Sequence, residues 1–181
     1  MINNEKGRSM IEMLGVLSIT GILSMSGISL YSKALHHRKI SNTIEQVSEL
    51  MANMRNTFRS RRTFELDSAW ESGTYTAAGD DKNLIPKSMV RDGKIIVALG
   101  TPVKLADKGG KKFTIMLEDT GDLKSINKAA CLKIVTSDWG HNIFIGVSAD
   151  ATEDSYQGTV PISDANSKCN KDANKIQFLV R

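Results

Sequence analysis

The chain has 181 residues, with 24 Lys and Arg against 20 Asp and Glu and a formal net charge of +4. That length holds one modest soluble domain beside a single membrane helix, and so mild a basic excess describes a solvated mixed surface, not a nucleic-acid footprint. Only 6% of residues are aromatic and no basic–aromatic stripe occurs, which argues against a single-strand binder.

The first informative stretch is Gly7-Arg8-Ser9-Met10-Ile11-Glu12, followed by a run without charge from Met13 to Tyr31. About 19 helical residues rise roughly 28 Å, close to the hydrocarbon thickness of a bilayer. Leu14, Val16, Leu17, Ile19, Ile22, Leu23, Met25, Ile28 and Leu30 supply apolar surface. Gly15, Ser18, Gly21, Ser24 and Gly27 recur every third residue, and small residues let membrane helices approach closely. Each glycine also softens the helix, by about 1 kcal/mol against alanine. Glu12 stands at the start of this segment, where a carboxylate is costly without a partner and is therefore a candidate functional group.

Three kinds of processing fit this start: a plain signal anchor, a secretory signal cut near Ser24-Met25-Ser26, or cleavage after Gly7 that keeps the helix. The third creates an α-amino group at Arg8, about one helical turn from Glu12. It removes Glu5 and Lys6 together and so leaves the charge balance unchanged. Lys6 and Arg8 precede the apolar run while Lys33, Arg38 and Lys39 follow it, so counting basic residues does not orient the helix.

Helical patterning continues beyond Tyr31. Ile40, Ile44, Val47, Met51, Met54 and Phe58 recur at spacings of four and three, with Glu45, Gln46, Glu49, Asn53 and Arg55 between them. No proline falls between residues 8 and 60, which predicts one helix of about 50 residues whose second half packs on a sheet. Arg59-Ser60-Arg61-Arg62 places positive charge at its carbonyl end. Residues 63 to about 93 read as a long loop with a short helix near Leu84 to Met89. Strands are expected at Lys94–Leu99 and Lys111–Glu118 with a turn at Gly109-Gly110, a helix at Ser125–Val135, and strands at Asn142–Val147 and Ile176–Val180. Ser148–Asn174 reads as a polar excursion. The fold class is α+β: a long N-terminal helix packed on an antiparallel sheet.

Cys131 and Cys169 are the only cysteines, too far apart for a zinc pair or a redox motif. With an export segment they predict one disulfide in an oxidising compartment, closing a loop worth about 4 kcal/mol in the chain-entropy picture.

Gly7 before the mature start, Glu12 at mature position five and the long apolar helix resemble the processing region of type IV pilins and pseudopilins. The resemblance implies that a prepilin peptidase cuts between Gly7 and Arg8 and methylates the amine of Arg8. It further implies that Glu12 pairs with the amine of a neighbouring subunit, at an inner-membrane assembly platform. Arg8 stands where that family usually has Phe, Met or Leu, and Ser29 where many members have proline. The order strand, cysteine-bearing helix, Trp139-Gly140, strand, Cys169, strand is similar to the head of type IVb pilins. The implied organisation is a leader at 1–7, a membrane-spanning half-helix at 8–31, an amphipathic half at 32–62, and a head at 63–181 with a disulfide-bounded C-terminal region.

Enzyme signatures are missing: the sequence has no phosphate-cradling Gly-Lys-Ser/Thr loop, no His-Glu-x-x-His and no Gly-x-Ser-x-Gly. His36 and His37 point to different helix faces, and His141 reads as a solvated turn residue. Asp80-Asp81 and Asp150, Glu153, Asp154 match no EF-hand spacing, and Glu118, Asp119 and Asp122 read as a surface turn. No catalytic residue, metal or cofactor is expected. The expected function is a structural subunit of a type IV pilus or secretion pseudopilus: a homo-oligomeric filament serving adhesion, conjugation, motility or secretion. Its precursor would sit in the inner membrane lipid, its product outside the cell or in the periplasm. The alternative is a membrane-anchored periplasmic binding or adhesive domain that never polymerises.

Overall fold

The proline-free start of the chain forms one helix, α1 (Glu5–Phe58), in the computed structural model, which describes residues 5–59, 66, 68–76, 84–109, 112–118, 126–148, 152, 154–170 and 174–181. Side chains of residues 5–9, Ser26 and Phe58 lie outside the described part. The chain divides into two units, Met1–Arg38 and Lys39–Arg181.

In the first unit every large apolar side chain from Met10 to Tyr31 is exposed, Leu14 at 63% and Met25 at 77%. Four hydroxyls here turn back on the helix. Ser18 donates to the Leu14 carbonyl at 2.8 Å, Ser24 to Thr20 at 2.7 Å and Ser32 to Ile28 at 3.0 Å, while Thr20 reaches Val16 at 2.9 Å. Those bonds let polar side chains sit in an apolar medium without an orphaned donor.

In the second unit α1 buries Ile40, Val47, Leu50, Met51 and Met54 in one core with the sheet. The sheet is antiparallel, in the order β3 (Val103–Gly109), β4 (Lys112–Leu117), β7 (Ile176–Val180), β5 (Ile143–Val147), β6 (Tyr156–Gln157). The last strand in sequence is central, and all five of its residues are buried. Phe178 lies opposite Ile115 on one side and Ile145 on the other. Period-2 alternation then sends Val103, Leu105, Phe113, Ile115, Leu117, Ile143, Ile145 and Val147 to the same core face. A short hairpin, β1 (Val90–Arg91) with β2 (Lys94–Ile95), follows a 3-10 turn at Lys87–Met89.

Several expectations need correction. Of Lys94–Leu99 only Lys94–Ile95 pairs as a strand. The amides of Ala98 and Leu99 donate to Gln46 Oε1 at 2.8 Å and Thr43 Oγ1 at 3.1 Å on α1, and so are not available to a ladder. β3 was not expected, because Lys, Ala, Asp and Gly dilute its β-formers. Its Val103-Lys104-Leu105 alternation still matches a strand, with Val103 and Leu105 buried and Lys104 half-buried. Gly109 ends β3 with φ +72, while Gly110 and Lys111 lie outside the described residues. The loop expected after residue 63 contains a helical turn, α2 (Ser68–Glu71), that buries Trp70. The expected polar excursion contains both β6 and α4 (Ile162–Lys168). The helix expected from Ser125 starts later, as α3 (Lys128–Val135), because the Asn127 side chain accepts from the Ala130 amide at 2.9 Å and caps it. Arg59 is described, whereas Ser60, Arg61 and Arg62 lie outside the described residues.

Candidate functional site

An α-helix that is apolar around its whole circumference is stable in water only when something else covers it. From Met10 onward α1 is long and apolar enough to cross a membrane, and none of its most apolar stretch is buried within the chain. Glu12 is exposed at the start of this surface and, with Met13, Val16 and Leu17, lines a shallow recess of about 280 Å³. Lys104 and Glu118 pair at 3.6 Å, and no ion pair is described for Glu12. Gly7 and Arg8 belong to α1, but nothing is described of their side chains. A Cβ added at Gly15, Gly21 or Gly27 would meet nothing within 4 Å, so the absence of a side chain there serves no close contact among the described residues.

Cys131 and Cys169 are joined as a disulfide, with Cα atoms 5.8 Å apart and both residues fully buried. The bridge ties α3 to the C-terminal end of α4. Trp139 supports the same corner: its indole N–H donates to the Ile134 carbonyl at 2.8 Å, and its ring centroid lies 4.6 Å from that of Phe178 on the central strand. On the outer side, the Tyr156 hydroxyl donates to Asp164 at 2.6 Å while the Lys168 ammonium sits 4.6 Å from the centre of the Tyr156 ring. The bond from Tyr156 stabilises the Asp164 carboxylate and lowers its pKa, helped by Ser163, and it raises that of Tyr156.

Polar side chains of α1 hold the helix to the head. Gln46 donates to Ser88 Oγ at 3.1 Å while accepting from Ala98, and Asn53 Nδ2 reaches the Leu84 carbonyl at 3.3 Å. Arg55 donates to the carbonyls of His141 and Asn142 at 3.5 and 3.4 Å, and partial burial lowers its pKa. Sequence reasoning placed Gln46 on the solvated side of the seam. Its signal was positional: it precedes Val47 and lies three residues after Thr43, which is also buried.

The remaining candidates do not converge. His36 is half-buried, while His37 and His141 are exposed; among the described residues no group of three or more His, Cys, Asp or Glu is placed to hold a metal. Asp154 and Lys168 line a cleft of about 340 Å³ with Ile145, Val147, Ser155 and Tyr156, whereas Asp80, Asp81, Asp119, Asp122, Asp150 and Glu153 lie outside the described residues.

The class of protein defined by these features is an α+β chain with a bare apolar N-terminal helix and a disulfide-closed head. No family model and no curated protein sequence matches it.

Proposed function

We propose that the chain is a structural subunit of a fibre of the type IV pilus or pseudopilus kind. Cleavage between Gly7 and Arg8 by a prepilin peptidase, with methylation of the new amine, matures it in the inner membrane. The assembly platform then packs its helix among those of other copies, which carries the head into an extracellular pilus or a periplasmic pseudopilus. The observation that carries this reading is Glu12, a carboxylate at the head of an apolar surface that the rest of the chain leaves exposed. An ionised carboxyl entering lipid carries a large desolvation cost, and a cation from an adjacent copy offsets it. The exposed residues Leu14, Leu17, Ile22 and Ile28 gain cover in the same step, and the open sides of Gly15, Gly21 and Gly27 admit close neighbours. The head needs no catalytic centre for this role; it supplies the fibre surface, stiffened by the disulfide.

Glu12→Ala tests the proposal. The variant is expected to fold, to be trimmed to a mature start at Arg8, and to give no sheared filaments. N-terminal sequencing reads the trimming and electron microscopy reads the fibres. Normal fibres from the variant would overturn the role of Glu12. A start near Gly27, or an intact Met1, would leave a tethered or secreted head without polymerisation.

A further inference from the structure

We infer that the segment immediately after the apolar run is a collar for the headgroups of anionic phospholipids. The inference rests on the membrane part of the reading above and not on polymerisation. From Met13 to Ser32 the helix carries no charge, and these residues span about 30 Å, the thickness of the hydrocarbon core. Tyr31 and Lys33 therefore fall where hydrocarbon gives way to headgroups. Tyr31 is 66% exposed, with an apolar ring and a polar tip suited to that boundary.

Lys33, His37 and Arg38 are exposed on α1, followed in the chain by exposed Lys39. From Lys33 to Arg38 the helix rises about 8 Å, matching the depth of one headgroup layer. With about 100° between successive residues, Lys33 and His37 share one face while Arg38 points to another. Positive charge thus lies on more than one side of the helix, where it meets more than one lipid phosphate. Among the described residues none of Lys33, Arg38 and Lys39 makes an ion pair. Lys and Arg stems reach along the apolar surface while their heads stay with phosphate, and each cation near an anionic membrane surface adds about fivefold in preference.

The full chain is to be reconstituted into nanodiscs containing equal phosphatidylglycerol and phosphatidylcholine with identical acyl chains, then released into native mass spectrometry to count retained lipids. Retained phosphatidylglycerol is expected to exceed phosphatidylcholine at least tenfold. That preference should collapse toward parity in the triple variant Lys33→Gln, Arg38→Gln, Lys39→Gln, and on raising salt with the unaltered chain. Near-UV circular dichroism checks that the variant head is folded, and the salt arm needs no variant. Equal retention of the two lipids by the unaltered chain overturns the collar while leaving the membrane helix intact. An undiminished preference in the folded variant overturns it too, and failure to insert into either lipid overturns both readings.

Discussion

Replacing Gln46 with Met keeps the length of the side chain and deletes its three hydrogen bonds. In the native head the Gln46 side chain is 8% exposed, donates to Ser88 Oγ at 3.1 Å and to the Ser88 carbonyl at 3.4 Å, and accepts from the Ala98 amide at 2.8 Å. The losses are unequal. Ser88 is exposed and its hydroxyl turns to water at little cost, whereas the Ala98 amide is half-buried against α1 and loses its acceptor. An orphaned donor of that kind costs about 1–3 kcal/mol, and the thioether's apolar burial offsets part of it. A net loss of about 1 kcal/mol lowers the melting temperature by about 3–5 °C for a head of this size. The assay is thermal unfolding of the full chain in detergent, followed by near-UV circular dichroism, with exposed Glu45→Ala as a control that stays within about 0.5 kcal/mol. If Gln46→Met melts with the unaltered chain, these bonds do not hold helix and head together and the reasoning fails.

Cys131→Ser with Cys169→Ser is expected to destabilise the head by about 2–5 kcal/mol, read by denaturant unfolding under oxidising conditions; the unaltered chain after reduction should fall to the same level. Removing the cap with Asn127→Ala frees the Ala130 amide and should cost about 1 kcal/mol in the same measurement. Because Tyr156 is the largest cause of the low Asp164 pKa, Tyr156→Phe should move that pKa upward, measured by carboxyl NMR titration. The native contact contributes stability above the ordinary carboxylate pKa and loses it as pH falls through the lowered value. Tyr156→Phe should therefore flatten that acid limb, and an unshifted Asp164 would refute the assignment.

The parts legible from residue order were those with local signals. The uncharged run to Tyr31 shows by its length, the seam of Ile40, Val47, Met51 and Met54 by its helical period, and the strands at β4, β5 and β7 by their content of β-formers. Two cysteines after an apolar start sufficed to predict the Cys131–Cys169 bridge. β3, β6 and α4 escaped because their residues are polar or few. Phe144 and Ile145 pair with Gln157 and Tyr156 through contacts that no local window contains.

Sequence alone determined that this chain carries one bare apolar helix headed by Glu12, and that a helix–sheet head with one disulfide follows, since hydrophobic period and charge are local properties. Only the tertiary structure decided that β7, made last, lies at the centre of the sheet, and that Gln46 and Thr43 turn inward to satisfy the amides of Ala98 and Leu99. A buried backbone donor must find an acceptor wherever the fold brings one, and that partner is set by packing across some 50 residues and not by neighbours in the chain.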